Sequence, residues 1–299
     1  MELRRDGLVA CGGTAPPGSA TPRVPLRYAG VRAAVKAAGG WLRTRAVGYV
    51  DAAMSDLTYV ISDVHLGGVP ADSEARFLDF LGHVAERADA LVIAGDLFDF
   101  WFEYRSVVLR EHFAALRGLA DVVEAGVEVR MIGGNHDAWG GGFLEEEVGL
   151  RWLEGPAVTE ICGRTTYLAH GDGLADGDWS YRVLKKIVRS RPARRAFRAV
   201  HPDLADRIVQ RLTRTPERES QEPSGELERA RALSNHAAEL LGARRELDLV
   251  VFGHAHRAEL REVEPGRHYL NPGDWIHSFS YGIVTTEGIR LEEWNGRPG

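Results

Sequence analysis

Five short polar segments in this 299-residue chain carry side chains able to do chemistry. They are Asp63-Val64-His65, Gly95-Asp96, Gly133-Gly134-Asn135-His136-Asp137, His170-Gly171-Asp172 and Gly253-His254-Ala255-His256. Their carboxylates, imidazoles and one carboxamide are hard or borderline oxygen and nitrogen donors, the set that suits Mn, Fe, Zn or Mg. Asp63 and His65 stand two residues apart, a spacing that lets two side chains of an extended turn converge on one cation. His254 and His256 repeat the spacing and can serve one metal each. A carboxylate can bridge two cations about 3.5–4 Å apart through its two oxygens, and Asp96, between the other segments in the chain, is best placed to do so. Asn135 adds a neutral oxygen that limits the negative charge around such a pair, and His170 adds a nitrogen. The chemistry these donors support is two-metal hydrolysis.

His136 adjoins a ligand on a Gly-flanked turn. It is read as facing a substrate, where it could steady developing phosphoryl charge or protonate a leaving oxygen, or else as orienting a ligand. Asp99, Asp137 and Asp172 are read as hydrogen-bond acceptors behind the ligands. His83, His112, His201 and His236 are read as structural or surface residues.

Each segment follows an apolar run: 57–61, 90–94, 127–132, 165–169 and 247–252. These read as buried strands, so the ligands fall where strands end, the place where sites assemble in layered α/β folds. Between the first strands, 72–88 reads as a helix with Phe77, Leu78, Leu81, Val84 and Ala85 on one face. Leu109, Phe113, Leu116, Ala120 and Val123 mark another helical face. Alternating strand and helix make this half α/β with a largely parallel sheet. The strand pattern lapses over 174–246, read as a helical insertion placed to cap the site. It includes a helix from Pro202-Asp203 onward, a polar loop over 214–225 and a helix over 227–241. Beyond Gly253, short strands with Gly/Pro turns indicate a second sheet.

Residues 1–53 show neither strand nor helix pattern and read as a disordered tail, or as a start assigned too early with Met54 the initiator. The domain proper is then 54–299. Two cysteines exclude a disulfide framework and fit a reducing compartment. No apolar run approaches the roughly 18 residues of a membrane-spanning helix. The net charge of −6 is uneven: 1–53 contributes +5, and 179–215 holds eleven Lys/Arg against two Asp. Arg182, Lys185, Lys186 and Arg189 recur at helical steps beside Leu184, Ile187 and Val188. Two readings stay open: a face toward anionic lipid or phosphate, and a solvated basic face. Phe98, Phe100, Trp101 and Phe102 are open to contact with an acyl chain or base, or to a core role.

The set Asp-x-His, Gly-Asp, Gly-Asn-His-Asp, His-Gly-Asp and Gly-His-x-His resembles the calcineurin-like metallophosphoesterase superfamily over roughly 58–284. The resemblance implies an α/β fold, a four-layer αββα sandwich, here with a helical cap insertion at 174–246. It implies two divalent metal ions, Mn2+ foremost, with Fe, Zn or Mg open. One metal would take Asp63, His65, Asp96 and His256, the other Asp96, Asn135, His170 and His254. Activated water would attack phosphorus in line. Gly95-Asp96-Leu97-Phe98-Asp99-Phe100-Trp101 and Gly273-Asp274-Trp275 are similar to segments in the branch that cleaves UDP-2,3-diacylglucosamine to UMP and a lipid monophosphate. That likeness implies a nucleotide-linked glycolipid substrate and a cytoplasmic enzyme peripheral on an anionic inner-membrane surface. His136 departs from the Arg of the well-studied enterobacterial form and matches the commoner superfamily pattern. The other readings are a phosphoesterase of soluble nucleotides, phosphoproteins or nucleic acid, and a non-catalytic scaffold. The acidic remainder of the chain argues against extended contact with nucleic acid, and oligomeric state is left open.

Overall fold

The computed structural model describes residues 49–50, 56–174, 191–205, 207 and 223–296. The apolar runs form strands with the expected two-residue alternation. In β2 (Leu57–Ile61), Tyr59 and Ile61 enter one apolar cluster while Val60 enters another. In β3 (Ala90–Ile93), Leu91 and Ile93 point to the first cluster and Val92 to the second. This is the period-two geometry of a strand buried on both faces.

Two mixed six-stranded sheets result. One has the order β12-β11-β2-β3-β4-β5, with β4 at Glu128–Ile132, β5 at Arg151–Leu153, β11 at Ser280–Thr285 and β12 at Ile289–Glu293. The other has the order β1-β6-β7-β8-β10-β9. Its strands are β1 (Tyr49–Val50), β6 (Ala157–Ile161), β7 (Arg164–Leu168), β8 (Leu249–Val251), β9 (Glu259–Glu264) and β10 (Arg267–Asn271). Val60, Val92 and Ile132 from the first sheet and Leu168, Leu249, Val251 and Leu270 from the second share the cluster between the sheets.

On the outer face of the first sheet lie α1 (Ala71–Arg87) and α2 (Phe113–Glu124). Pro70 precedes α1, Asp72 and Glu74 occupy its first turn and Arg87 its last, so the side-chain charges complement the helix dipole. Phe77, Leu81 and Val84 are buried as the spacing predicts, and so is Phe80. Phe80 packs on Trp275 with ring centroids 4.7 Å apart and on Tyr281 at 5.0 Å; cutting it to Ala costs about 3–5 kcal/mol. In α2 the buried stripe is Ala115, Leu116, Leu119 and Val122, about one position off the predicted face. Phe113, placed on that face by spacing, is 67% exposed, because the helix begins there after a single 3-10 turn at Arg110–His112.

Two further differences concern the chain ends of the sequence reading. Tyr49–Val50 pairs in parallel with Val158 and Thr159, so a strand exists before Met54 where none was expected; it is too short for any periodicity to reveal. In the segment read as a cap, α4 (Pro223–Ala243) packs on the outer face of the second sheet. There Ala230, Leu233, Ala237 and Leu241 meet Val250, Phe252 and Tyr269. Of the remainder, α3 (Arg191–Arg198) and the residues that follow it to 205 are described. A helical cap is not seen among the described residues, and the basic helix expected over 182–189 lies outside them. No described helix is long and apolar enough to cross a membrane.

Candidate metal centre

Strands β2, β3 and β4 run parallel in register, with Ile61 beside Ile93 and Ile93 beside Met131. The loops that follow therefore start side by side. In the other sheet β7 and β8 are parallel, with Leu168 beside Val251. Backbone hydrogen bonds carry this pairing into the loops: Asp63 N–H donates to Gly95 O, Val64 N–H to Asp96 O and Gly253 N–H to His170 O, at 2.9–3.1 Å.

The loops then turn sharply. Of the seven non-glycine residues with positive φ among those described, five are Asp63, His65, Asp96, His254 and His256, at 52–66°. Such backbone is costly for side chains other than glycine, at about 1–3 kcal/mol each, and concentrates at functional sites. Here it aims five predicted ligands inward. Gly95 and Gly134 make room for them. A Cβ on Gly95 would collide with the His170 ring, and one on Gly134 with the Asp96 carboxylate.

All eight residues singled out by sequence are brought together. Asp63, His65 and His256 form one cluster of potential ligand atoms and Asp96, His170 and His254 a second. Asp63 Oδ1 lies 3.3 Å from His256 Nε2 and 3.9 Å from His65 Nε2. Asp96 Oδ2 lies 3.2 Å from His170 Nε2 and 3.9 Å from His65 Nε2, so a single oxygen stands between the two clusters. Its other oxygen, Oδ1, accepts the backbone N–H of His136 at 2.9 Å. The two-oxygen bridge expected from the sequence thus gives way to a geometry in which Oδ2 alone faces both clusters. Asn135 Oδ1 is 3.1 Å from His170 Nε2.

Supporting contacts fix these side chains. His170 Nδ1 donates to Ala94 O at 2.9 Å, which leaves Nε2 as the atom that faces Asp96 Oδ2. Asp137 accepts from Leu97 N–H and Gly134 N–H, each at 2.7 Å, and ties the second and third loops together. Asp99 Oδ1 is 3.4 Å from His65 Nδ1 and 3.7 Å from His136 Nδ1, and His136 Nδ1 donates to Asp99 O at 2.6 Å. The His65 and His136 rings meet edge to face with centroids 4.8 Å apart. Asn271, which sequence reasoning missed, is buried; its Nδ2 donates to Gly253 O at 2.9 Å and its Oδ1 accepts from Gly273 N–H at 3.0 Å. Its position at the end of β10, opposite the β8 loop, was the available signal.

Other residues prove structural. Asp274 accepts from the N–H groups of Ile276, His277 and Ser278 and closes the last turn. Trp275 N–H donates to Asp63 O at 3.1 Å. Phe98, Trp101 and Phe102 are buried, with Phe98 stacked on Trp101 at 4.5 Å, which is the core role of the two open for them.

The electrostatics match a cation site. Burial opposes the charged form of Asp63, but the His256 imidazole outweighs it and holds the carboxyl at about 2. Burial likewise favours the neutral form of His170, yet Asp96 beside it raises the pKa to about 10. Asp96 is held well below its ordinary value despite burial, chiefly by His170. His254 is lowered to about 4 by burial and by His170. Burial, followed by the Asp96 charge, raises Asp137 to about 6. The His170 imidazolium therefore offsets buried carboxylate charge in a place that a cation would take, and, against the effect of burial, the Asp63 carboxylate shifts His256 upward as well. Asp63 Oδ1 is a buried oxygen whose neighbour is His256 Nε2 at 3.3 Å, and among the described residues it accepts no well-aligned hydrogen bond. Buried carboxylates and neutral imidazoles are the donors a pair of divalent ions uses.

A sheet-on-sheet α/β fold with candidate His/Asp metal clusters at the strand ends points to a class, and the chain belongs to it: residues 57–258 match the calcineurin-like phosphoesterase family. Among curated proteins, it is 30% identical over 256 residues to a UDP-2,3-diacylglucosamine hydrolase of Porphyromonas gingivalis, covering 80% of this chain and 98% of that one. It is 32% identical over 248 residues to the UDP-2,3-diacylglucosamine hydrolase of Xanthomonas oryzae pv. oryzae, covering 79% and 98%. Among solved structures, a dimetal phosphatase of Danio rerio aligns over 80% of this chain and 99% of its own, at 13% identity and a TM-score of 0.39, a likeness too slight to bear on the site.

Proposed function

We propose that this chain is a dinuclear-metal hydrolase that cleaves the pyrophosphate of UDP-2,3-diacylglucosamine to UMP and a lipid monophosphate, acting in the cytoplasm at the inner membrane surface. The observation that carries the hydrolase reading is Asp96 Oδ2 standing between two His-containing clusters. The resemblance to hydrolases of that name over nearly their full length supports the substrate.

Asp63, His65, Asp96 and His256 would hold one cation, and Asp96, Asn135, His170 and His254 the other, with Mn2+ the expected metal. Bound there, the cations supply Lewis acidity toward phosphoryl oxygens and lower the pKa of water. The chain supplies the rest. His136 Nδ1 is engaged by Asp99 O, which leaves Nε2 to hydrogen-bond a phosphoryl oxygen or give a proton to the departing one. Asp99 holds the His65 and His136 rings at fixed distance, so one loop positions both a ligand and the proposed proton donor.

A second reading, a phosphoesterase of soluble substrates, is favoured by His136, which matches the commoner superfamily pattern where the well-studied enterobacterial UDP-2,3-diacylglucosamine pyrophosphatase has Arg. Turnover of UDP-2,3-diacylglucosamine, a dinucleotide and a small phosphodiester separates the two. Preference for the glycolipid, with UMP as product, supports the proposal; preference for either soluble substrate contradicts it.

A further inference from the structure

A surface cavity of about 700 Å3 is lined by Tyr104, Arg105, Val107, Arg195, Arg198 and Pro202 and contains none of the metal-facing residues. Three guanidinium groups border it in a chain of net charge −6. Among the described residues none of the three pairs with a carboxylate; Arg198 donates through Nε to the backbone carbonyl of Glu103 at 3.2 Å. The Tyr104 hydroxyl is buried and has no hydrogen-bond partner among the described residues. A donor hydroxyl beside three cations is chemistry for a phosphate.

The helix that carries Arg195 and Arg198 is held in place. Phe197, between Arg195 and Arg198, packs on Phe102 at 4.7 Å, Trp139 at 5.1 Å and Phe100 at 5.7 Å. That aromatic cluster ties α3 to the loops that carry Asp99 and His136. The apolar surroundings are unusual as well. Four large apolar side chains are left exposed among the described residues. Val107 and Val108 lie in the cavity's own loop, and Leu204 lies two residues beyond Pro202, exposed by 48, 41 and 52%. Exposed apolar side chains beside unpaired cations complement the headgroup layer of an anionic membrane.

We propose that this cavity receives the phosphate headgroup of an anionic lipid in a bilayer, held by Tyr104, Arg105, Arg195 and Arg198, with Val107, Val108 and Leu204 entering the interfacial layer. The inference rests on the proposed glycolipid reading only for the presence of a bilayer. The test is flotation of the metal-loaded full chain with vesicles of phosphatidylcholine, with and without phosphatidylglycerol. Binding is expected to the anionic vesicles only. Arg195→Ala with Arg198→Ala should weaken it about thirty-fold, which corresponds to about 1 kcal/mol per basic residue at such a surface. Tyr104→Phe should weaken it several-fold, and both variants should hydrolyse a small phosphodiester at the parent rate. Inorganic phosphate should release the protein better than chloride at equal ionic strength. Undiminished binding in the double variant, or equal binding to both vesicle types, overturns the inference. Phosphate binding that depends on Tyr104 without any vesicle binding makes this a free-anion site and overturns the bilayer assignment. A chain that binds anionic vesicles yet leaves UDP-2,3-diacylglucosamine intact contradicts the proposed function alone. One that cleaves it in detergent yet ignores vesicles contradicts this inference and the membrane placement, and leaves the proposed reaction standing.

Discussion

Asp63 Oδ2 accepts the backbone N–H of His254 at 2.9 Å, across 191 positions of the chain. One oxygen of this buried carboxylate pins the last ligand loop while the other faces His256 Nε2 at 3.3 Å. Asp96 repeats the division, with Oδ1 on the His136 N–H and Oδ2 between the clusters. Each carboxylate thus both builds the site and offers a ligand atom.

Replacing Asp96 should therefore do more than remove one ligand. Asp96→Ala is expected to abolish hydrolysis and lower metal content at both positions, because Oδ2 faces both clusters. His256→Ala should deplete mainly the first and His170→Ala mainly the second. Metal analysis of the purified variants checks this; full occupancy in Asp96→Ala would remove the shared-ligand assignment.

His136→Ala should keep both metals and lose about 10²–10⁴-fold in kcat, the usual contribution of a positioned acid or electrostatic group. Steady-state kinetics together with metal analysis distinguish this outcome from loss of a metal, which would make His136 a ligand or its support.

Much of this centre is legible in the sequence because its donors are chemically unusual and follow apolar runs that read as strands. What the residues do not announce is backbone: the left-handed conformations at Asp63, His65, Asp96, His254 and His256 come from tertiary hydrogen bonds between loops far apart in the chain. The single-oxygen geometry of Asp96 depends on the His136 N–H and has no local signature. The α2 face was misread because Phe113 is apolar yet sits at the first, exposed turn. The place of α4 in the sheet layer was available in the three- and four-residue spacing of Ala230, Leu233, Ala237 and Leu241, but its position between ligand segments favoured a cap.

Metal uptake should be linked to protons. His170 holds a proton up to about pH 10 in the metal-free chain and must release it to present Nε2 to a cation. Apparent affinity for Mn2+ should rise with pH from about 6.5 toward that value, with proton release visible as calorimetric heats that differ between buffers of different ionisation enthalpy. The metal-free chain should behave oppositely. Because the folded pKa is raised above the ordinary 6.5, the stability His170 contributes is complete below that pH and is lost as pH climbs toward 10. Its thermal midpoint should fall over the interval in which the Mn2+-induced gain grows; a pH-independent gain would contradict the linkage.

A chain beginning at Met54 should fold and remain active on a small phosphodiester. It lacks β1, whose two residues pair at the edge of the second sheet, so a loss of about 1 kcal/mol, or about 2–4 °C in thermal midpoint, is expected. Calorimetric scans measure it. A drop several times larger would show that residues before Met54 contribute more than this edge pairing.

The most direct test of the metal centre is anomalous diffraction from a crystal of the Mn2+-loaded protein. Two peaks are predicted, about 3.5–4 Å apart, flanking Asp96 Oδ2, one beside Asp63, His65 and His256 and the other beside Asn135, His170 and His254. A single peak, or a pair that leaves Asp96 outside its coordination, would contradict the account.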